Sequence, residues 1–344
     1  MTASLFANTT LSEEGMRSLV RLRGELPREH RLTAWKYLLQ LPGNASTFYG
    51  LLQKGPHPAA VASLATRYPM RDRKLFRKTA VLISALAHWS PIVAEVEFVP
   101  GWVFPFVVVF QQDDLGAFEA AMSFLLHWGA RLLVTFPQPP VPVLAGMELA
   151  LRRVDRELAT HLKALSVGAL SYGWPLLRSA FSEVLAAPDW LRLIDHVLAN
   201  AGRPEMLEAA AVAFAVATRA RLLACRSRSE AEAVFRTRCG SIDLDKMLRV
   251  MERVSKWNHR GRPDGRVRGQ MGGGGGGEDG EGGARAALAL LRSAPREFQA
   301  LPMGAYPCFD GYPQFAVNYQ MELRERVVKL EEEAERKNQL VSRI

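Results

Sequence analysis

The 344-residue chain is 48% hydrophobic, carries 44 basic against 35 acidic residues for a formal charge of +9, and has three cysteines. No window holds the roughly 18 or more uninterrupted apolar residues of a membrane span, and residues 1–14 form neither a basic n-region nor an apolar h-region, so the sequence predicts a soluble, non-secreted chain without a membrane span. Cys225, Cys239 and Cys308 make no C-x-x-C pair, which argues against structural zinc or a disulfide framework and fits a reducing compartment. Scattered arginines without interleaved aromatics argue against nucleic acid; the excess charge fits an acidic protein or lipid surface.

In chain order, Ser12 is placed to cap a first helix carrying Leu19 and Leu22 and ending near Gly24. Pro27 opens a second, on which Pro27, Arg31 and Trp35 are spaced four apart. By itself that spacing reads as an amphipathic helix whose Arg31 stem packs on the Trp35 ring, stopped by Leu41-Pro42-Gly43. Within 60–105, Leu75, Thr79, Leu82, Ile83, Leu86 and Trp89 repeat with the period of one helical face. They predict a core helix with a fully buried stripe, ended by Ser90-Pro91 and flanked by loops where chemistry would have to sit.

Residues 106–110 are the most strand-like run in the chain, yet too isolated to found a sheet. They are read as a buried helical turn before a helix capped by Asp113 or Asp114, with Phe118, Met122, Leu125 and Leu126 inside. After the proline cluster at 137–142, Leu144, Met147, Leu151, Val154, Leu158, Leu162 and Leu165 predict one long helix. Helices at 174–185 and 189–198 are separated by Pro188, and Asn200-Ala201-Gly202 closes the second. An Ala-rich buried helix spans 206–223. Ser229 with Glu232 reads as a capping box for a helix ending at Gly240. Ser241 starts another, with Leu244, Met247, Leu248, Met251 and Val254 inward. The fold class is all-α, without a repeat period.

The organisation expected is an N-terminal segment at 1–18, a helical domain at 19–257 and a flexible Gly-rich insertion at 258–284. The C-terminal part of the domain follows at 285–328, and the start of a coiled coil at 329–344. The insertion has an arginine-rich run, six glycines at 272–277 and an acidic stretch, a composition that does not repay its ordering entropy. Leu323, Val327, Leu330, Ala334, Val341 and Ile344 make a heptad seam interrupted by Lys337, so 323–344 predicts a coiled-coil partner.

Seven histidines form no H-x-x-x-H or H-E-x-x-H pair, and there is no G-x-S-x-G elbow or activated cysteine. Small-molecule catalysis, a metal site and a cofactor are not predicted.

Leu26-Pro27-x-x-x-Arg31-x-x-x-Trp35-x-x-Leu38-Leu39 resembles the opening motif of the TBC domain, the all-helical Rab GTPase-activating family. Trp174, Phe181 and Leu191-Arg192-Leu193-Ile194-Asp195 resemble its later Trp, Phe and Arg-Ile-Trp-Asp motif, with Ile194 in place of Trp. The run from Leu301-Pro302 through Tyr306 and Phe309 to Tyr319-Gln320, together with Ser84 to Ser90, is most similar to the WD40-TBC-coiled-coil subgroup associated with centrosomes and cilia. No WD40 repeats lie in this chain. The resemblance implies a TBC helical fold, a Rab-type GTPase as partner, and a cytoplasmic location at a centrosome or cilium. It also implies that GTP and Mg belong to the partner.

The family mechanism uses an Arg that neutralises charge on the transferring phosphate and a Gln that orients the attacking water. In the family's register Thr66 falls at the arginine position, Ser63 at the Asp position and Glu97 at the glutamine position. Both fingers are therefore substituted, and the resemblance implies binding or scaffolding without efficient activation. A displaced finger among Arg67, Arg71, Arg73 and Arg77 is the alternative, against a bland reading of these arginines as a solvated loop or an acidic-partner contact.

Overall fold

Apolar residues at helical spacing become helices in the computed structural model, which describes residues 13–133, 135–201, 203–238 and 242–260. Among the described residues every regular element is helical, and no helix is long and apolar enough to cross a membrane. Of the sequence readings, Ser12, Ser241, the Gly-rich insertion beyond residue 260, the segment 285–328 and the coiled coil lie outside the described residues.

Helix α1 (Glu13–Arg23) buries Met16, Leu19 and Val20, and Gly24 at φ +76 ends it in the left-handed cap conformation that glycine adopts without strain. Leu22, on the same helix, is 54% exposed, away from the face that Leu19 and Val20 bury. A 3-10 turn (Arg28–His30) follows Pro27 and leads into α2 (Arg31–Leu38). Asn44 caps α3 (Ala45–Leu52), and α4 (Pro58–Arg67) starts with proline in its first turn. Asp72 caps α5 (Arg73–Trp89), accepting from the Lys74 and Leu75 amides at 2.8 and 3.1 Å.

Of the α5 stripe, Thr79, Leu82, Ile83 and Leu86 are buried, whereas Leu75 and Trp89 at its ends are half-buried. Ser84, Ala85 and Ala87 are buried as well, because α3, α4, α6 (Ile92–Glu95), α7 (Val99–Val109) and α8 (Asp114–Phe124) pack around α5. Residues 106–109 of the strand-like run are helical, as read, and end α7, with Phe110 as its C-cap. Asp113 caps α8 by accepting from the Gly116 amide at 2.8 Å. A π-turn (Leu125–Gly129) then joins α8 to α9 (Ala130–Leu133).

Further along, local polar chemistry breaks helices that the apolar pattern runs together. The long helix read from Leu144 to Leu165 is two, α10 (Val141–Val154) and α11 (Arg156–Ala164). Asp155 separates them in an extended conformation and caps α11 by accepting from the Leu158 amide at 2.9 Å. The helix read at 174–185 starts earlier and stops earlier, as α12 (Ala169–Arg178), because Ala180 and Phe181 adopt positive φ. It is followed by α13 (Ala187–Ala199). The Ala-rich helix divides at Thr218 into α14 (Met206–Ala217) and α15 (Arg219–Ala224). The capping box on α16 (Arg228–Val234) is Ser227 with Glu230 rather than Ser229 with Glu232. Ser227 accepts from the Glu230 amide, and Glu230 reaches back to the Arg226 amide. Helix α17 (Leu244–Arg260) turns Leu244, Met247, Leu248, Met251 and Val254 inward against α14 and continues past the boundary read at 257.

Two buried histidines sit in this frame. His127, in the π-turn, faces the Ala201 carbonyl at 2.5 Å, and burial lowers its pKa to about 3. His196 faces the Gly24 carbonyl at 3.3 Å, and burial lowers its pKa to about 4. Both are neutral in the fold and charged in the acid-unfolded chain, so the stability they confer is complete above pH 6.5 and is lost as pH falls toward 4 and 3. Lowering the pH from 7 to 5 removes about 2 kcal/mol for each. Asp195, raised by burial from its ordinary 3.8 to about 6, opposes part of this, since protonation favours its folded state in that window. His127→Gln retains a donor for Ala201. Urea unfolding at the two pH values is expected to show its stability falling by about 2 kcal/mol less than the wild type's.

Candidate functional site

One short stretch, residues 26–35, converges on the distant Asp195 carboxylate of α13. Leu26 donates its amide to Oδ2 at 2.9 Å, Arg31 donates Nε to the two oxygens at 3.0 and 3.2 Å, and Trp35 donates Nε1 to Oδ1 at 2.7 Å. Arg31 also donates to the Leu26 carbonyl at 3.1 Å and pairs with Glu25 at 2.9 Å. Pro27 makes the turn that lets residues 26 and 31 face the same carboxylate. Beyond the shared helix face read from the spacing, Arg31 and Trp35 both aim their N–H groups at one acid. Asp195 is ionised at neutral pH, with burial pushing its pKa up and Arg31 with the amide and indole donors pulling it back.

From Trp35 a run of ring contacts leads across the core. Its ring lies 6.0 Å from Phe106, Phe106 lies 5.3 Å from Phe124, and Phe124 lies 5.1 Å from Trp102. Trp102 then meets Phe98 at 5.9 Å, and Phe98 takes Trp174 edge-on at 5.6 Å. Phe98 is the residue after Glu97.

The two flanks of α5 meet at the surface. Thr66 is exposed in the last turn of α4, with its hydroxyl donating to the Ala62 carbonyl at 2.9 Å. Arg67 pairs with Glu97 at 2.5 Å, and Tyr68 places its hydroxyl 3.5 Å from the Glu97 carbonyl oxygen. Burial raises the Tyr68 hydroxyl's pKa, with Glu183 adding to the effect and Arg178 opposing it, so the group is a donor at neutral pH. Arg71, Arg73 and Arg77 are exposed and make no ion pair among the described residues. Beside them opens a cleft of about 690 Å³ between the 68–70 loop, α2, α7 and α13, with Leu32, Met70, Phe104, Val108 and Trp190 in its lining. Among the described residues, no three His, Cys, Asp or Glu side chains come together to hold a metal ion.

No protein-family model matches the chain. In sequence it is 34% identical over 343 residues to TBC1 domain family member 31 of Xenopus tropicalis, across 97% of this chain. It is 33% identical over 321 residues to the Homo sapiens protein of that name, across 92% of this chain. It spans only 28% and 27% of those curated relatives' lengths. In structure it is similar to the Ypt/Rab-GAP domain of Gyp1p, with a TM-score of 0.59 at 13% identity over 75% of this chain and 96% of that one. It is also similar to the Chlamydomonas flagellar RabGAP TBC domain, with a TM-score of 0.54 at 14% identity over 74% and 87%. The chain has the all-α fold of TBC domains.

The motif residues of this TBC fold divide into two groups. Arg31, Trp35 and Asp195 form one buried network with Pro27 at its turn, Ile194 is buried beside it, and Phe181 is buried at φ +66, 6.4 Å from Phe214. Trp174 instead supports the 96–98 loop through Phe98. Sequence reasoning missed the Arg67–Glu97 pair, the cleft residues Ser182, Glu183 and Arg238, and the link between Arg31 and Asp195, which lie 164 residues apart. A Leu-Pro-x-x-x-Arg-x-x-x-Trp run with a lone Asp on a buried helix face was the available signal for that link.

The two groups differ in energy. Removing one partner of a buried, fully bonded ion pair costs about 3–5 kcal/mol, whereas an exposed pair is worth under about 1 kcal/mol. Asp195→Ala is therefore expected to lower unfolding stability by about 3–5 kcal/mol in urea titrations. In the same assay, a double-mutant cycle over Arg67→Ala and Glu97→Ala is expected to give a coupling below about 1 kcal/mol.

Proposed function

We propose that this TBC domain docks a Rab-type GTPase, or serves as a scaffold through the same face, without efficiently accelerating GTP hydrolysis. The observation that carries the reading is the Arg67–Glu97 ion pair at 2.5 Å on the finger face, with Thr66 beside it bonded to its own helix. Thr66 in the arginine position has no cation to offer a transferring phosphate. Glu97 in the glutamine position would bring a carboxylate toward that phosphate, and the one arginine beside it is neutralised. An arginine finger contributes about 10³ to 10⁵ in rate, or about 4–7 kcal/mol of transition-state stabilisation, so its loss decides the outcome. GTP and Mg belong to the partner, and the domain needs no cofactor of its own.

The competing reading is an active GTPase-activating protein whose displaced finger is Arg71, Arg73 or Arg77. It is favoured by the exposure of these three side chains and the lack of ion pairs to them among the described residues. Further proposals rest on resemblance and on the flagellar source of one structural neighbour: a cytoplasmic location at the centrosome or cilium, and a coiled-coil partner bound through 323–344.

Single-turnover GTP hydrolysis across a Rab panel, with the domain in excess, tests the first reading. Less than about tenfold acceleration is expected from the wild type, set against the 10³ or more of an arginine finger. Thr66→Arg with Glu97→Gln is expected to raise the rate on any GTPase the wild type captures. A hundredfold acceleration by the wild type that disappears in Arg71→Ala, Arg73→Ala or Arg77→Ala would establish the competing reading instead.

A further inference from the structure

Some of the positive charge on the described surface is paired. Arg21 meets Glu252, Lys36 meets Asp113, Lys78 meets Asp114 and Arg131 meets Glu208. At the start of α5 four neighbouring cations are not. Arg71, Arg73, Lys74 and Arg77 fall within seven residues, are all exposed, and make no ion pair among the described residues. The nearest carboxylate in sequence, Asp72, is engaged by the Lys74 and Leu75 amides as the helix cap. The neighbouring Glu97 is engaged by Arg67.

The placement also works against the helix. Arg73 and Lys74 lie in the first turn of α5, where the peptide dipoles already present positive charge and where acidic residues are favoured. Two cations in the first turn, with Arg71 just before the cap and Arg77 one turn on, are a local conflict, and such conflicts concentrate where a sequence is held for binding. An anion on this surface would relieve the mutual repulsion and the dipole conflict together.

We infer that the strip formed by Arg71, Arg73, Lys74 and Arg77 docks the domain on a membrane surface rich in anionic phospholipid headgroups. The shape of the strip favours a lipid surface over an acidic protein. The lining of the adjacent cleft ends at Met70, so these long side chains stand on an exposed helix start and offer charge without a fixed socket. One turn beyond Arg77 on the same helix face, Val81 is 44% exposed, an apolar group beside the cations, as at a headgroup boundary. This goes beyond the proposed GTPase docking and requires no GTPase for its test.

Co-sedimentation with vesicles of phosphatidylcholine alone, or with about a third phosphatidylserine, tests it in the full chain. Arg262, Arg266 and Arg268 are changed to Gln in every sample so that the second basic run contributes nothing. Binding is expected only to the phosphatidylserine vesicles, and it is expected to weaken as salt rises. Reversal of the strip, Arg71→Glu, Arg73→Glu, Lys74→Glu and Arg77→Glu, is expected to lower partitioning about a hundredfold or more. A charge-matched control, Arg152→Glu, Arg153→Glu, Arg156→Glu and Lys163→Glu, is expected to retain most of it, and thermal melting checks that both variants fold. No binding to phosphatidylserine vesicles, or an equal loss in the control, overturns the inference. So does a strip variant that still binds vesicles but no longer captures a GTPase, which would assign the strip to a protein interface.

Discussion

The Asp195 carboxylate is the constraint on which the rest of the structure depends. Buried and ionised, it is tolerable only because an amide, a guanidinium and an indole all donate to it, and they come from one short stretch 160 to 169 residues away. Satisfying it fixes how the α1–α2 junction lies on α13. With Trp35 held by its N–H, its ring faces Phe106, Phe110 and Trp190. The aromatic run continues through Phe124 and Trp102 to Phe98, next to Glu97. The surface loop that carries Glu97 therefore rests on a core whose geometry is set by a hydrogen-bonded ion pair on its far side. This is mechanical support: the contacts place the loop, and they imply no signal passing along them.

Much of the fold is legible in the sequence because burial imposes helical periodicity. The stripe on α5, the inner face of α17 and the helical rather than extended state of 106–109 all follow from it. Periodicity misleads where a polar side chain or a backbone twist interrupts a helix without changing the apolar spacing. Asp155 breaks α10 from α11 while Leu151, Leu158 and Leu162 stay in phase and buried on both sides. Ala180 and Phe181 leave α12 through positive φ with neither glycine nor proline at those positions to mark it. The α16 cap is misplaced for a similar reason: two serines lie two residues apart, each with a glutamate three residues on, and only the backbone decides between them.

The candidate site was legible as positions and illegible as contacts. Resemblance assigned Thr66 and Glu97 to the finger positions, and the structure brings the end of α4 and the 96–98 loop to one surface through Arg67. No sequence pattern could reveal that pairing, because it joins an exposed side chain at the end of α4 to one in a separate loop and depends on how α6 folds back against α4. Arg31 illustrates the opposite failure. Its helix face was read correctly, but a face says what neighbours a side chain and not what it bonds to.

The contrast between the two regions bears on how a TBC domain tolerates substituted fingers. At Asp195 each donor is buried, and losing any one leaves a polar group without a partner, so residue identity is held by the fold itself. At Thr66 and Glu97 the side chains are exposed. The threonine hydroxyl is satisfied by its own helix and the carboxylate by an arginine that solvent would otherwise hydrate. The fold asks nothing of either position, so the same backbone accepts Arg and Gln or Thr and Glu at a difference of less than about 1 kcal/mol. Against this, the catalytic term at stake is about 4–7 kcal/mol. Under the proposed reading, stability and activation are thus carried by separate residues, and the face around Thr66 and Glu97 keeps the shape that the Asp195 network and its aromatic run give it whichever residues stand there.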